Sequence, residues 1–129
     1  MESFTVSTRE RTEMIEITGR VQAAVGKSGV REGLVVVYVP HTTAAVTINE
    51  NADPDVQRDI LKELNKIVPF EDGYSHQEGN SAAHVKAALI GPSVTVPVSE
   101  GSLVLGTWQA VYFCEFDGPR TRRVVVSIS

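Results

Sequence analysis

Apolar residues recur along the chain at three spacings, and each spacing predicts a different element. Alternation marks two short opening strands, near residues 2–8 and 12–18. Phe4 and Val6 face one way in the first, and Met14 or Ile15 pairs with Ile17 in the second. Helical spacing follows over 19–28, where Val21, Ala24 and Val25 share a face and Gly26 and Gly29 terminate it. Residues 33–39 form a continuous, Val-rich apolar run, which predicts a strand buried on both faces. Alternation returns in Ala44-Ala45-Val46-Thr47-Ile48-Asn49. The clearest helix spans 54–67: Asp53 caps it, Pro54 opens it, and Val56, Ile60, Leu64 and Ile67 form one stripe with Leu61 beside it. Asp55, Arg58, Asp59, Lys62, Glu63 and Lys66 occupy mostly the opposite face, as a solvated helix surface does.

Residues 69–80 have little periodicity and contain Pro69, Gly73 and Gly79, so they predict a long loop, a common place for function. Ser81 is expected to cap a short helix running to about residue 90, stopped by Gly91-Pro92. The last third reads as β: 94–98, 103–105, 110–116 and 123–128. The final two are expected to form an antiparallel hairpin about Gly118-Pro119-Arg120. Seven or eight strands and three helices, with no repeat or low-complexity segment, predict a compact single-domain α+β fold over 1–129. Its largely antiparallel sheet or sandwich is flanked by helices.

Composition narrows the functional classes. A 42% apolar, 22% charged chain of 129 residues suits a packed core. A formal charge of −4 argues against a general nucleic-acid binder, while leaving room for local positive charge around a small phosphorylated ligand. No apolar stretch reaches the roughly 20 residues of a membrane helix, and the N-terminal residues lack a signal-peptide pattern. One cysteine, Cys114, has no internal partner and sits in an apolar strand, where it reads as a small core residue rather than a nucleophile. The expected compartment is the cytoplasm.

The three histidines fall close together in sequence. His41 ends the most apolar run, and His76 and His84 bracket Gln77–Ala83. Three imidazoles are the right number and type for a divalent metal such as zinc, with magnesium or manganese as other candidates. No compact metal signature joins them. The simpler alternative is that His76 is a solvated loop residue and His84 a helix-surface residue. Glu50, Asp53 and Glu78 are candidate acid/base groups, Glu78 foremost because it lies in a loop without evident structural use. Thr42, Thr43, Asn49 and Asn80 offer polar contacts to a substrate. Asn80 and Ser81 precede a helix N-terminus that can receive a phosphate, beside Gly79. Gly106-Thr107-Trp108-Gln109 supplies a pocket wall, or else a large core residue at a strand bend. Lys86 and Arg122 read as surface cations able to add charge.

Several of these segments, in this order, resemble a known family. Pro40-His41-Thr42-Thr43-Ala44-Ala45-Val46-Thr47-Ile48-Asn49-Glu50-Asn51-Ala52-Asp53-Pro54 is similar to the YjbQ (UPF0047) signature. So are His84-Val85-Lys86 followed by Leu89-Ile90-Gly91, and Leu105-Gly106-Thr107-Trp108-Gln109. The resemblance covers nearly the whole chain. It implies a β-rich α+β fold assembled as a homotrimer, with a weak thiamine phosphate synthase activity that joins a pyrimidine diphosphate to a thiazole phosphate. The positions matching the family's pocket are His41, Asn49, Glu50, Asp53, His84 and the Gly-Thr-Trp-Gln segment. Other readings are a binding protein for a metal or phosphorylated metabolite, a metal-assisted hydrolase, and a structural trimer whose histidines serve no common site.

Overall fold

In the computed structural model, which describes residues 1–129, eight strands and three helices follow one another. They are β1 (Glu2–Ser7), β2 (Glu13–Glu16), α1 (Thr18–Ser28), β3 (Gly33–Tyr38), β4 (Ala44–Glu50), α2 (Pro54–Ile67), α3 (Ser81–Ile90), β5 (Ser93–Ser99), β6 (Ser102–Leu103), β7 (Gln109–Glu115) and β8 (Thr121–Ile128). The fold is α+β, and every strand pairing is antiparallel. Five strands form one sheet in the order β1-β8-β3-β5-β6, and three form a second in the order β2-β7-β4.

The small sheet is the middle layer. One face, with Val46, Val111 and Phe113, packs against Val35, Val37, Val96, Val98, Val124 and Val126 of the large sheet and Val21 and Val25 of α1. Its other face, with Ala45 and Cys114, packs under Leu64 of α2 and Ala83 and Ala87 of α3. Because side chains alternate across a strand, β7 feeds both cores, and Ala110 to Glu115 are all buried. The two-sided burial expected of 33–39 therefore belongs to β7. In β3 only Val35 and Val37 are buried, while Leu34 is 49%, Val36 36% and Tyr38 46% exposed. The large sheet has no layer outside it, so half of the apolar run faces outward.

The terminal hairpin is also corrected. β7 and β8 lie in different sheets, and the chain between them crosses from one layer to the other. At the crossing, Gly118 packs so closely on the Glu10 carbonyl and the Thr8 hydroxyl that a Cβ has no room. Leu105, expected in a strand with 103 and 104, lies beyond the two-residue β6. Ser81 is the first helical residue of α3 rather than its cap. Asn80 holds the cap position without capping through its side chain, which instead donates to Asp117 at 3.0 Å. Asp53 caps α2 as its sequence indicates, accepting from the Asp55 amide at 2.9 Å.

Candidate functional site

β3 delivers the chain to Pro40-His41-Thr42-Thr43, and β4 carries it back beside α3. A cleft of about 310 Å³ opens there, lined by His41, Thr42, Ala44, His84, Ala87, Ala88 and Pro92. His84 also lines an adjoining cleft of about 380 Å³ at the first turn of α3, with Tyr74, Ser75, His76, Ser81 and Val85. The His76 and His84 rings meet edge-to-face, 5.5 Å between centroids. Glu78 approaches the His76 Nε2 at 4.0 Å on the exposed loop. Helical spacing explains why His84 and Ala88 share one cleft: residues four apart stand on one face.

His41 is oriented by the backbone. Its Nε2 accepts the Arg123 N–H at 2.9 Å, which places the proton of the neutral ring on Nδ1. Burial, then the nearby Arg122 guanidinium, holds His41 below the ordinary imidazole range, against the opposing pull of the Arg123 hydrogen bond and Glu115. His41 is thus a neutral donor at Nδ1 near neutral pH.

Beneath it lies a buried polar network that the sequence reading did not find. Arg122 donates from Nε to Glu115 Oε1 at 2.8 Å, a second time to Glu115 Oε2, and to Thr43 Oγ1 at 2.9 Å. Thr8 donates to Glu115 Oε1 at 2.8 Å. Burial pushes the Glu115 carboxyl up, but hydrogen bonds from Arg122, the Asp117 amide and Thr8 outweigh it and leave it below the usual carboxylate range. Thr43, expected to contact substrate, is buried in this network. Arg122, expected on the surface, is 4% exposed. Lys86, also expected on the surface, is fully buried. Burial and then Arg11 hold the Lys86 amine down to about 8.

The remaining predicted residues gather elsewhere. Asn49, Glu50, Asp53, Trp108 and Gln109 stand around the far end of β4. Seven strand residues separate that end from His41 and Thr42, roughly 20 Å. Their side chains serve local structure: Asn49 Oδ1 accepts the Glu50 amide at 2.8 Å, Glu50 Oε2 the Ala52 amide at 2.9 Å, and Gln109 Oε1 the Gly106 amide at 2.8 Å. Trp108 is 62% exposed, so it is not a core residue. One chain thus brings together His41, Thr42, His76, His84 and Glu78, with Asn80 behind them. It does not bring them to Glu50, Asp53 or Trp108. Nor does one chain place three His, Cys, Asp or Glu side chains to hold one metal ion, so its residues alone do not fit a metal centre. No helix is long and apolar enough to cross a membrane.

The chain is similar to known proteins along its length. The chain is 47% identical over 129 residues to UPF0047 protein YugU of Bacillus subtilis (strain 168), covering 99% of this chain and 98% of that one. It is 46% identical over 125 residues to UPF0047 protein MJ1081 of Methanocaldococcus jannaschii, covering 97% and 91%. A crystal structure of an uncharacterized conserved protein of the YjbQ/UPF0047 family from Clostridium acetobutylicum superposes with a TM-score of 0.99 at 52% identity, covering all of both chains. The family model described as UPF0047 protein YjbQ-like matches residues 2–129, and the chain belongs to that family.

Proposed function

We propose that the paired clefts around His84 bind a phosphorylated small molecule. The observation that carries this reading is the convergence of His41, Thr42, His76 and Ser81 on two clefts joined through His84, at a helix N-terminus without an acidic residue in its first turn. Amides at a helix start and imidazole N–H groups favour an anion. The reaction we assign to the site is a weak thiamine phosphate synthase activity. The thiazole ring nitrogen attacks the methylene of the pyrimidine diphosphate, the C–N bond forms, and the C–O bond to diphosphate breaks. The His41 Nδ1–H and His84 then serve as donors to the departing diphosphate, and Glu78 orients the His76 ring.

Glu50, Asp53 and Trp108 reach this pocket only from a neighbouring copy. We therefore propose a homotrimer in which one copy's Glu50–Trp108 end meets the next copy's histidines. The exposed Leu34, Val36 and Tyr38 support such an assembly. Zinc, magnesium or manganese enters the proposal only as an ion shared between copies or with ligand phosphate. Elemental analysis of tag-free protein tests that part, a metal near one per chain supporting it.

His41→Ala and His84→Ala are each expected to lose at least tenfold in thiamine phosphate formation while keeping the native circular dichroism spectrum. Full activity in both variants refutes the assignment. Binding of the two substrates without product in any variant, wild type included, reduces the protein to a phosphometabolite binder.

A further inference from the structure

On the far side of α3 from His84, two cations face one aromatic ring. Lys86 lies two residues after His84, about 200° around the helix. Its Nζ is buried, makes no hydrogen bond, and sits 3.9 Å from the centroid of Phe70. The Arg11 guanidinium carbon lies 3.6 Å from the same centroid. Neither side chain enters an ion pair, although the chain carries 16 acidic residues. A phenyl face attracts a cation, but it replaces neither the water nor the acceptor that a buried amine loses. Two cations on one ring also repel each other. What this place lacks is an acceptor with negative charge.

Phe70 belongs to the segment that leads from α2 to α3. Its outer side lines a small cleft of about 210 Å³ with Glu71, Asp72, Gly73, Tyr74, His76 and Gly79. The ring thus touches the buried Lys86 amine, the exposed Arg11 guanidinium and this cleft. We propose that the buried Lys86 and the exposed Arg11, which meet at the Phe70 ring, form a second anion site that takes a phosphoryl group when the ring swings aside. Lys86 supplies a point charge and Arg11 a planar fork, a pairing suited to tetrahedral oxyanions. Glu71 and Asp72 on the rim disfavour highly charged ligands and select a compact anion. The cleft beside Phe70 shares Tyr74 and His76 with the cleft at the first turn of α3, but Lys86 and Arg11 line neither histidine cleft.

The test uses the full chain and inorganic phosphate, with acetate as the carboxylate arm, at matched ionic strength. Titration calorimetry is expected to find phosphate binding that Lys86→Met and Arg11→Met each weaken at least tenfold. Phe70→Ala is expected to strengthen it, and in a His41→Ala/His84→Ala background, which removes phosphate binding at the histidine clefts, a phosphate site that still responds to Lys86→Met is expected to remain. Lys86→Met is expected to fold with an unchanged or higher melting temperature, because it removes a buried unpaired charge without changing volume. Acetate binding in place of phosphate reassigns the site to carboxylates and overturns the phosphoryl claim. Phosphate binding that disappears only in the histidine variants overturns the inference and leaves the proposed function standing. No phosphate binding in wild type or Phe70→Ala overturns it as well.

Discussion

Glu115 shows how one side chain can fix a cleft it never lines. It is fully buried, yet charged, because Arg122, Thr8 and the Asp117 amide surround both oxygens. Arg122 in turn holds Thr43, and its neighbour Arg123 holds His41. Removing one partner strands the other charge in the core, so Glu115→Gln is expected to lower stability by about 3–5 kcal/mol in urea unfolding. The acid dependence follows from the depressed carboxyl. Its contribution is complete above the unfolded value near 4.5 and is lost as pH falls through the lower folded value. The gap between wild type and Glu115→Gln should therefore close on acidification, and a gap that widens contradicts this account. Cys114 gives a second residue-level expectation. Burial pushes its thiol up to about 12, so a disulfide reagent at pH 8 should label it only as fast as the chain unfolds. Labelling within seconds in native buffer refutes that.

At this scale the sequence held more than residue type suggested. Lys86 shares its helical face with Ala82, Ala83 and Ala87, and Arg122 continues the inward alternation of Val124 and Val126. The periodicity placed both inside. Their charge argued for the surface, and periodicity wins in both: a partner network offsets the desolvation of Arg122, while Lys86 is left with the Phe70 face and no acceptor.

Among the elements, α2 was the most legible, whereas α3 was legible in its span over 81–90 but not in its buried face. An Asp cap, a Pro start and a strong stripe determine α2 locally, and the helix runs over Pro54–Ile67 as predicted. Asp53→Ala should lower stability by about 1 kcal/mol. If Asp53 only caps, that variant retains full activity. An activity loss beyond the stability effect instead places it in a shared pocket. Leu64, the one residue of the stripe that is buried, should matter more: Leu64→Ala is expected to cost about 2–5 kcal/mol by calorimetry. α3 has apolar residues nearly all round, so its sequence does not say which face meets the small sheet. Strand β3 was misjudged for a related reason. A continuous apolar run fits two buried faces, or one buried face and one that waits for another surface.

At the scale of the whole molecule, the outer face of β3 stands exposed with Leu34, Val36 and Tyr38. Val36→Lys sets a charge in its middle and should shift the proposed trimer toward monomer in sedimentation, leaving the monomer's circular dichroism unchanged. An unchanged trimer places the interface elsewhere, and a monomeric wild type refutes the proposed trimer. A shared pocket makes a sharper prediction. Mixing His84→Ala with Trp108→Ala, unfolding and refolding them together, should restore part of the lost activity, since some interfaces then carry both intact ends. No recovery above the two parents separates the ends of β4 functionally.

Local pattern determined the elements, the α+β class, the α2 cap and the buried thiol, because alternation, helical spacing and turn chemistry act over a few residues. The long-range pairings were decided only by the tertiary structure. Nothing near Gly118 in sequence says that β7 and β8 part into different sheets, and nothing near His41 says that Arg123 binds its ring. The small sheet could become the middle layer only once two separate apolar surfaces closed on it. That closure joined His41 to His84, and it left Glu50 and Trp108 at the other end of the same strand.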